Sequence, residues 1–246
     1  MILQRLSRAI RQQNWFAVAL EFVIVVAGVA IGFQINALNE ARQERQREAE
    51  YLHQLEVELA AVINELNTVE DAIDAYFNWI TIFFEGVETG DPDRAQEGSW
   101  GLNAITSVEI VNLEPATLRE MISAGELTII RNNELRSALA SIPQMHGNSQ
   151  ASLEQMASEL TPVAFEISGH FEARLEDITD MANGGFSTET VQFDFEAVSQ
   201  NDTLLRRINY AALQNRFQAA HFDRYRSEIE AIHRQVRDVI EAQETE

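Results

Sequence analysis

Residues 15–35 read W-F-A-V-A-L-E-F-V-I-V-V-A-G-V-A-I-G-F-Q-I, with only Glu21 and Gln34 interrupting an apolar run. At ~1.5 Å per residue a helix of this length spans roughly 30 Å, the thickness of a bilayer's hydrocarbon core. No other stretch of the chain is so uniformly apolar, so 15–35 is expected to be a transmembrane helix, not the core helix of a globular domain. The helical period then runs on. Leu52, Leu55, Leu59, Val62, Leu66, Val69, Ile73, Tyr76 and Ile80 recur at steps of three and four. Neither Pro nor Gly stands between Gln34 and Glu85, so one helix is expected from the bilayer to about residue 85. Leu38, Ala41, Arg45 and Glu48 keep the frame but are mostly polar, which makes 36–50 a solvated helical stalk below a packed domain, 51–246. The upper stripe suits a coiled-coil seam or a bundle core, and Tyr76, Phe77, Trp79, Phe83 and Phe84 broaden it towards a bundle.

Upstream, 1–14 is a basic amphipathic tail. Leu3, Leu6 and Ile10 share a face, and Arg5, Arg8 and Arg11 have no acid among them. A cleaved signal peptide is the competing reading. The glutamate in the run, and helix-continuing sequence where a small-x-small site would stand, favour a retained signal anchor. Arg42, Arg45 and Arg47 balance the basic count on the far side. The short acid-free tail is nevertheless expected to stay in the cytoplasm and place the large domain across the membrane.

Glu21 is costly in such a run, ~2.5–3.5 kcal/mol on insertion scales for a central charge, and intramembrane acids usually face protein or water. On a helical wheel Glu21, Val25, Gly28, Gly32, Ile35 and Asn39 form one narrow stripe. Gly28 and Gly32 make a G-x-x-x-G pair, which lets a second helix approach closely. The stripe is the candidate helix–helix interface within the membrane. The bland alternative is an acid that snorkels or is protonated in lipid, with incidental glycines.

Glu21 to Glu40, E-F-V-I-V-V-A-G-V-A-I-G-F-Q-I-N-A-L-N-E, resembles the N-terminal signature of a bacterial family of single-pass membrane proteins carrying a domain of unknown function. That signature reads E-x-V-x-V-V-x-G, then Q-I-N-x-x-N-E. Glu21, Val23, Val25, Val26, Gly28, Gln34, Ile35, Asn36, Asn39 and Glu40 fit it. Thr117 to Arg136, T-L-R-E-M-I-S-A-G-E-L-T-I-I-R-N-N-E-L-R, is similar to the family's second block. The chain departs from the pattern at Leu20, Leu38 and Gly32, so the second glycine of the pair lies outside it. The resemblance implies a bacterial membrane protein of this anchor and architecture; with the basic tail's orientation, the expected location is the inner membrane, N-terminus cytoplasmic and large domain periplasmic. The resemblance implies no activity.

Composition narrows the function classes. A net charge of -21 and a pI near 4.5 argue against nucleic acid, which needs a basic patch, and against a domain lying flat on anionic lipid. With no Cys, disulfides, thiolate nucleophiles and Cys-ligated zinc are excluded. All 18 basic residues are Arg, so a Walker A loop, a Schiff-base lysine and a Ser-Lys dyad are excluded too. His53, His146, His170, His221 and His233 match no metal-ligand spacing, and acid clusters such as Glu70, Asp71 and Asp74 read as a solvated helix face. No enzyme, cofactor or metal site is expected.

Beyond the first helix, Gly86 to Gly101 reads as a loop and 102–113 is ambiguous. Residues 115–124 form a short helix between Pro115 and a Gly125 cap. Asn133 caps another, stopped before Pro143. A long helix follows Ser149, carrying Leu153, Met156, Leu160, Ile167, Phe171, Leu175 and Ile178 on one face and kinked or divided at Pro162. Asn183-Gly184-Gly185 breaks the chain, and Val191, Phe193 and Phe195 alternate like a strand too brief to pair alone. The last helix, about 202–242, is marked by Tyr210, Leu213, Phe217, Phe222, Tyr225, Ile229, Ile232, Val236 and Val239, with Leu59, Leu66 and Phe217 expected in the core. The whole is expected to be all-α: an anchor helix continuing into a stalk and an elongated antiparallel bundle. Its expected role is a membrane-anchored interaction or scaffold protein that contacts membrane lipid and pairs with itself or another membrane protein. The alternative is a sensor or regulatory subunit whose bundle binds a ligand and signals through a partner.

Overall fold

The computed structural model describes residues 15–172 and 192–245. The basic tail, Leu175, Ile178, the Asn183-Gly184-Gly185 break and Val191 lie outside the described residues. The fold is all-α. Helix α1 runs unbroken over Trp15–Thr89, as its uninterrupted period predicts. Two compact units divide the chain, Met1–Glu50 and Tyr51–Glu246.

In the first unit α1 carries an exposed apolar surface: Phe22, Val23, Ile24, Val29, Ile31 and Phe33 are all more than half exposed. Among the described residues α1 is the one helix long and apolar enough to cross a membrane. Further along α1, Leu38 and Arg45 are exposed, whereas Glu48 is only 1% exposed.

In the second unit α1 buries Leu52, Leu55, Leu59, Val62, Leu66, Ile73 and Ile80, the stripe read from its period. Where Gly and Pro suggested a loop, the chain stays helical, with α2 over Pro92–Glu97 and α3 over Ser99–Ala104. Asp91 caps α2 through its side chain, with Pro92 at the first position. The glycines serve close approach here, not looseness. A β-carbon on Gly98 would stand 2.2 Å from the Phe83 backbone nitrogen, and one on Gly101 would stand 2.5 Å from that of Ile80. Residues 105–113 then follow as a strap without helix or strand, burying Ile105, Val111 and Leu113.

Helix α4 is Ala116–Ala124, closed by Gly125 at φ 71 as its Gly cap predicts, and a 3-10 turn follows over Glu126–Ile129. Helix α5, Asn133–Ser168, corrects two expectations. Its cap is Asn132, one residue earlier than expected, and neither Pro143 nor Pro162 ends it. Each proline removes one N–H, leaving the carbonyls of Leu139 and Ser158 without that donor. Pro162 lies on the solvent face and Pro143 is half-buried, while Leu139, Ile142, Met145, Ser149, Leu153, Met156 and Leu160 keep a continuous buried stripe. That burial holds the helix through both sites. After it, β1 (Phe171–Glu172) pairs antiparallel with β2 (Gln192–Phe193), Phe171 opposite Phe193. The brief alternation therefore does pair, and Phe195 opens helix α6, Phe195–Ser199, instead of extending the strand.

Helix α7, Asp202–Glu244, runs antiparallel to both long helices. Along α1, Arg237 meets Glu56 at 3.9 Å, Arg226 pairs with Glu70, and Arg216 meets Asp74 at 3.3 Å. Along α5, Arg207 pairs with Glu166, and the Tyr210 hydroxyl donates to Glu159 at 2.8 Å. Phe222, Tyr225, Ile229, Ile232 and Val236 are buried as expected. Tyr210, Leu213 and Phe217 are not: Phe217 is 61% exposed, which corrects its place in the core. Counting back from Val236 by steps of four and three gives Ile232, Ile229, Tyr225, Phe222, Gln218, Asn215, Ala211, Ile208 and Leu204, every one of them buried. The large apolar residues at 210, 213 and 217 follow a step of five from Phe222 and fall on the opposite face.

Candidate functional site

The stripe expected to meet another helix, Glu21, Val25, Gly28, Gly32, Ile35 and Asn39, lies along one face of α1, and all six residues are exposed. A β-carbon added at Gly28 or Gly32 would meet nothing within 4 Å. Near the exit, Asn36 Nδ2 donates to Glu40 Oε1 at 2.7 Å.

The second unit has a polar layer that the sequence pattern hid. Asn215 is 0% and Gln218 2% exposed, in core positions of α7. Buried amides cost free energy unless bonded, and each holds the strap. Asn215 Nδ2 donates to the carbonyl of Ile105, and Gln218 Nε2 donates to that of Glu109 at 2.8 Å. His146 of α5 holds the same segment from the other side, its Nδ1 accepting from the Leu113 amide at 3.4 Å. Tyr76 of α1 donates to the Glu109 carboxylate at 2.9 Å. Burial, then that hydrogen bond, pushes the Tyr76 pKa up to about 12. Four side chains from three helices thus clamp a segment with no regular structure of its own.

The clamp leaves polar atoms over. Both amide nitrogens donate, and the oxygens of the same amides, Asn215 Oδ1 and Gln218 Oε1, are buried without a partner, as is Ser149 Oγ. His221 adds another. Its Nδ1 lies 3.5 Å from an Arg224 nitrogen, which can only donate, so Nδ1 accepts and the proton sits on Nε2. That N–H is buried and partnerless. Burial, then the Arg224 charge, holds the His221 pKa below the usual histidine value and keeps the ring neutral.

Gln218 and His221 line a cleft of about 250 Å³ between α5 and α7. Leu153, Met156 and Phe217 give it apolar walls, and Ser152, Gln155, Glu159 and Gln214 complete it. Hydrogen bonds from Gln155 and then Tyr210 lower the Glu159 pKa, so this carboxylate is ionised, and Gln214 also donates to it at 3.1 Å. The Ser152 hydroxyl in this lining donates to the carbonyl of Asn148 at 3.0 Å. Among the described residues no group of three His, Asp or Glu side chains could hold a metal ion. Sequence reasoning missed Asn215, Gln218, His221 and Glu159. The signal for the first two was the unbroken three-four frame, which places them inside.

No protein-family model, curated protein or solved structure matches the chain.

Proposed function

We propose that this protein is a membrane-anchored helical interaction module, binding rather than catalytic, whose span pairs with a second copy or another membrane protein through Glu21, Val25, Gly28, Gly32, Ile35 and Asn39. One observation carries the reading. In the first unit the described apolar residues of α1 from Leu20 to Ile35 are uncovered, whereas the second unit buries Leu52, Leu55, Leu59, Val62, Leu66, Ile73 and Ile80 of the same helix. On that surface an acid and two glycines share a face, where helices approach closely and a carboxyl is shielded from lipid. The resemblance of Glu21–Glu40 to a bacterial single-pass signature supports an inner-membrane location, and the acid-free basic tail supports a periplasmic domain.

Changing Gly28 and Gly32 together to Ile should abolish association in a membrane two-hybrid assay, and Glu21→Leu should weaken it. Equal loss from Val23→Ile with Ala30→Ile, on the opposite face, would sink the proposed interface. Because the chain has no cysteine, a single Ser123→Cys on the exposed face of α4 tests orientation. It should react with an impermeant maleimide on cells whose outer membrane alone is opened; labelling only after lysis reverses the topology.

The α5–α7 cleft favours a second reading, a sensor or regulatory subunit whose bundle binds a ligand and acts through a membrane partner.

A further inference from the structure

The cleft brings three features together. Phe217 is 61% exposed on an acidic domain. Beside it Gln218, almost wholly buried, keeps a carbonyl oxygen with no donor. At the mouth stands Glu159, ionised and oriented by Gln155, Tyr210 and Gln214.

The chemistry of a complement follows from these groups. Gln218 Oε1 and Glu159 both accept, so the ligand must donate. An anion is repelled by Glu159 and by a chain of net charge -21. An alcohol brings one donor, whereas an ammonium brings three and a charge. An exposed aromatic face beside a carboxylate attracts that charge further. His221 is neutral and adds no opposing charge. Leu153, Met156 and Phe217 offer apolar contact to whatever carries the ammonium.

We propose that the cleft between α5 and α7 binds a small protonated amine bearing one compact apolar group, with its ammonium held by Gln218 and Glu159 and its apolar part against Phe217, Leu153 and Met156. Gln218 belongs to the cleft lining and its Oε1 is buried, so the ammonium reaches it as two further lining side chains, the unbranched Met156 and the exposed Phe217, turn aside. The site goes beyond the anchored-association reading and does not rest on it. It supplies what the sensor reading needs, a ligand.

The test is calorimetric titration of the full chain in an uncharged detergent with phenethylamine. Saturable binding is expected, with 2-phenylethanol and phenylacetate each weaker by about tenfold or more, the size of a charge-assisted hydrogen bond. Glu159→Gln and Phe217→Ser change exposed side chains, so the fold should survive both, and each should weaken phenethylamine binding by about fivefold or more. Val57→Ser, an exposed change on α1, should leave it unaltered. Three results would overturn the proposal: no saturable phenethylamine binding; 2-phenylethanol binding as well as the amine, which leaves only an apolar patch; or affinity unchanged in both variants, which places the amine elsewhere on the acidic surface. None of these touches the association assay on Gly28 and Gly32, so the two readings fail separately.

Discussion

Helix α7 keeps one frame from end to end, yet its two halves fill that frame with opposite chemistry. From Phe222 to Val236 the buried positions are Phe222, Tyr225, Ile229, Ile232 and Val236, large and apolar. From Ile208 to Gln218 they are Ile208, Ala211, Ala212, Asn215 and Gln218, and the large residues Tyr210, Leu213 and Phe217 are exposed. The difference lies in what each half meets. The second half packs side chain against side chain along α1 and α5. The first half meets the strap, whose backbone carbonyls at Ile105 and Glu109 need donors that Leu or Ile cannot provide. Small residues and amides belong where a helix faces backbone.

The largest effect should come from the side-chain-packed half. Ile229→Ala or Leu59→Ala, each wholly buried, should cost about 2–5 kcal/mol and lower the thermal midpoint of the isolated second unit. If both variants melt like the parent, the packed core is wrongly placed. Asn215→Leu should cost about 1–3 kcal/mol, because it strips the Ile105 carbonyl of its donor while adding apolar volume. A stabilised Asn215→Leu would mean that the polar layer is not clamping the strap.

Acid sharpens the comparison in a different way. The folded-state pKa of His221 lies below its unfolded value of about 6.5, so the unfolded chain takes up its proton first. This contribution is complete above that pH and is lost as pH falls through it. His221→Phe should therefore flatten part of the decline in denaturant midpoint between neutral and mildly acidic solution; an unchanged slope would mean that the ring is not held neutral. The smallest effect belongs to Phe217→Ala, within about 0.5 kcal/mol in the absence of any ligand, as befits an exposed side chain. A loss as large as that of Ile229→Ala would put the ring back in the core.

The all-α class and α1 were legible because long helices repeat their apolar residues many times, and a repeat survives a few exceptions. Leu52 to Ile80 is such a case. Two kinds of feature were not legible. Gly86, Gly98 and Gly101 read as loop markers, because a sequence does not distinguish a glycine that bends from one that lets backbones touch, as Gly98 does against Phe83. Pro143 and Pro162 read as stops, because what carries α5 past them is burial on the other side of the helix. The α5–α7 cleft stayed hidden for a related reason. Its polar members are core residues by position and surface residues by type, and the step from Phe222 to the apolar Phe217 drew the frame away from Gln218.

The strap also bears on the order in which the chain comes together. Asn215 and Gln218 lie 110 and 109 residues after the carbonyls they hold. Arg226 lies 156 residues after Glu70. As the ribosome delivers the chain, the carbonyls of Ile105 and Glu109 and the acids of α1 that pair with α7 wait without these partners until α7 emerges. Contacts so distant in sequence slow folding, since the loop entropy must be met before any of them forms. A nascent chain halted before α7 would therefore hold apolar surface open to the cell's chaperones and proteases, and the emergence of α7 becomes the event that closes the domain.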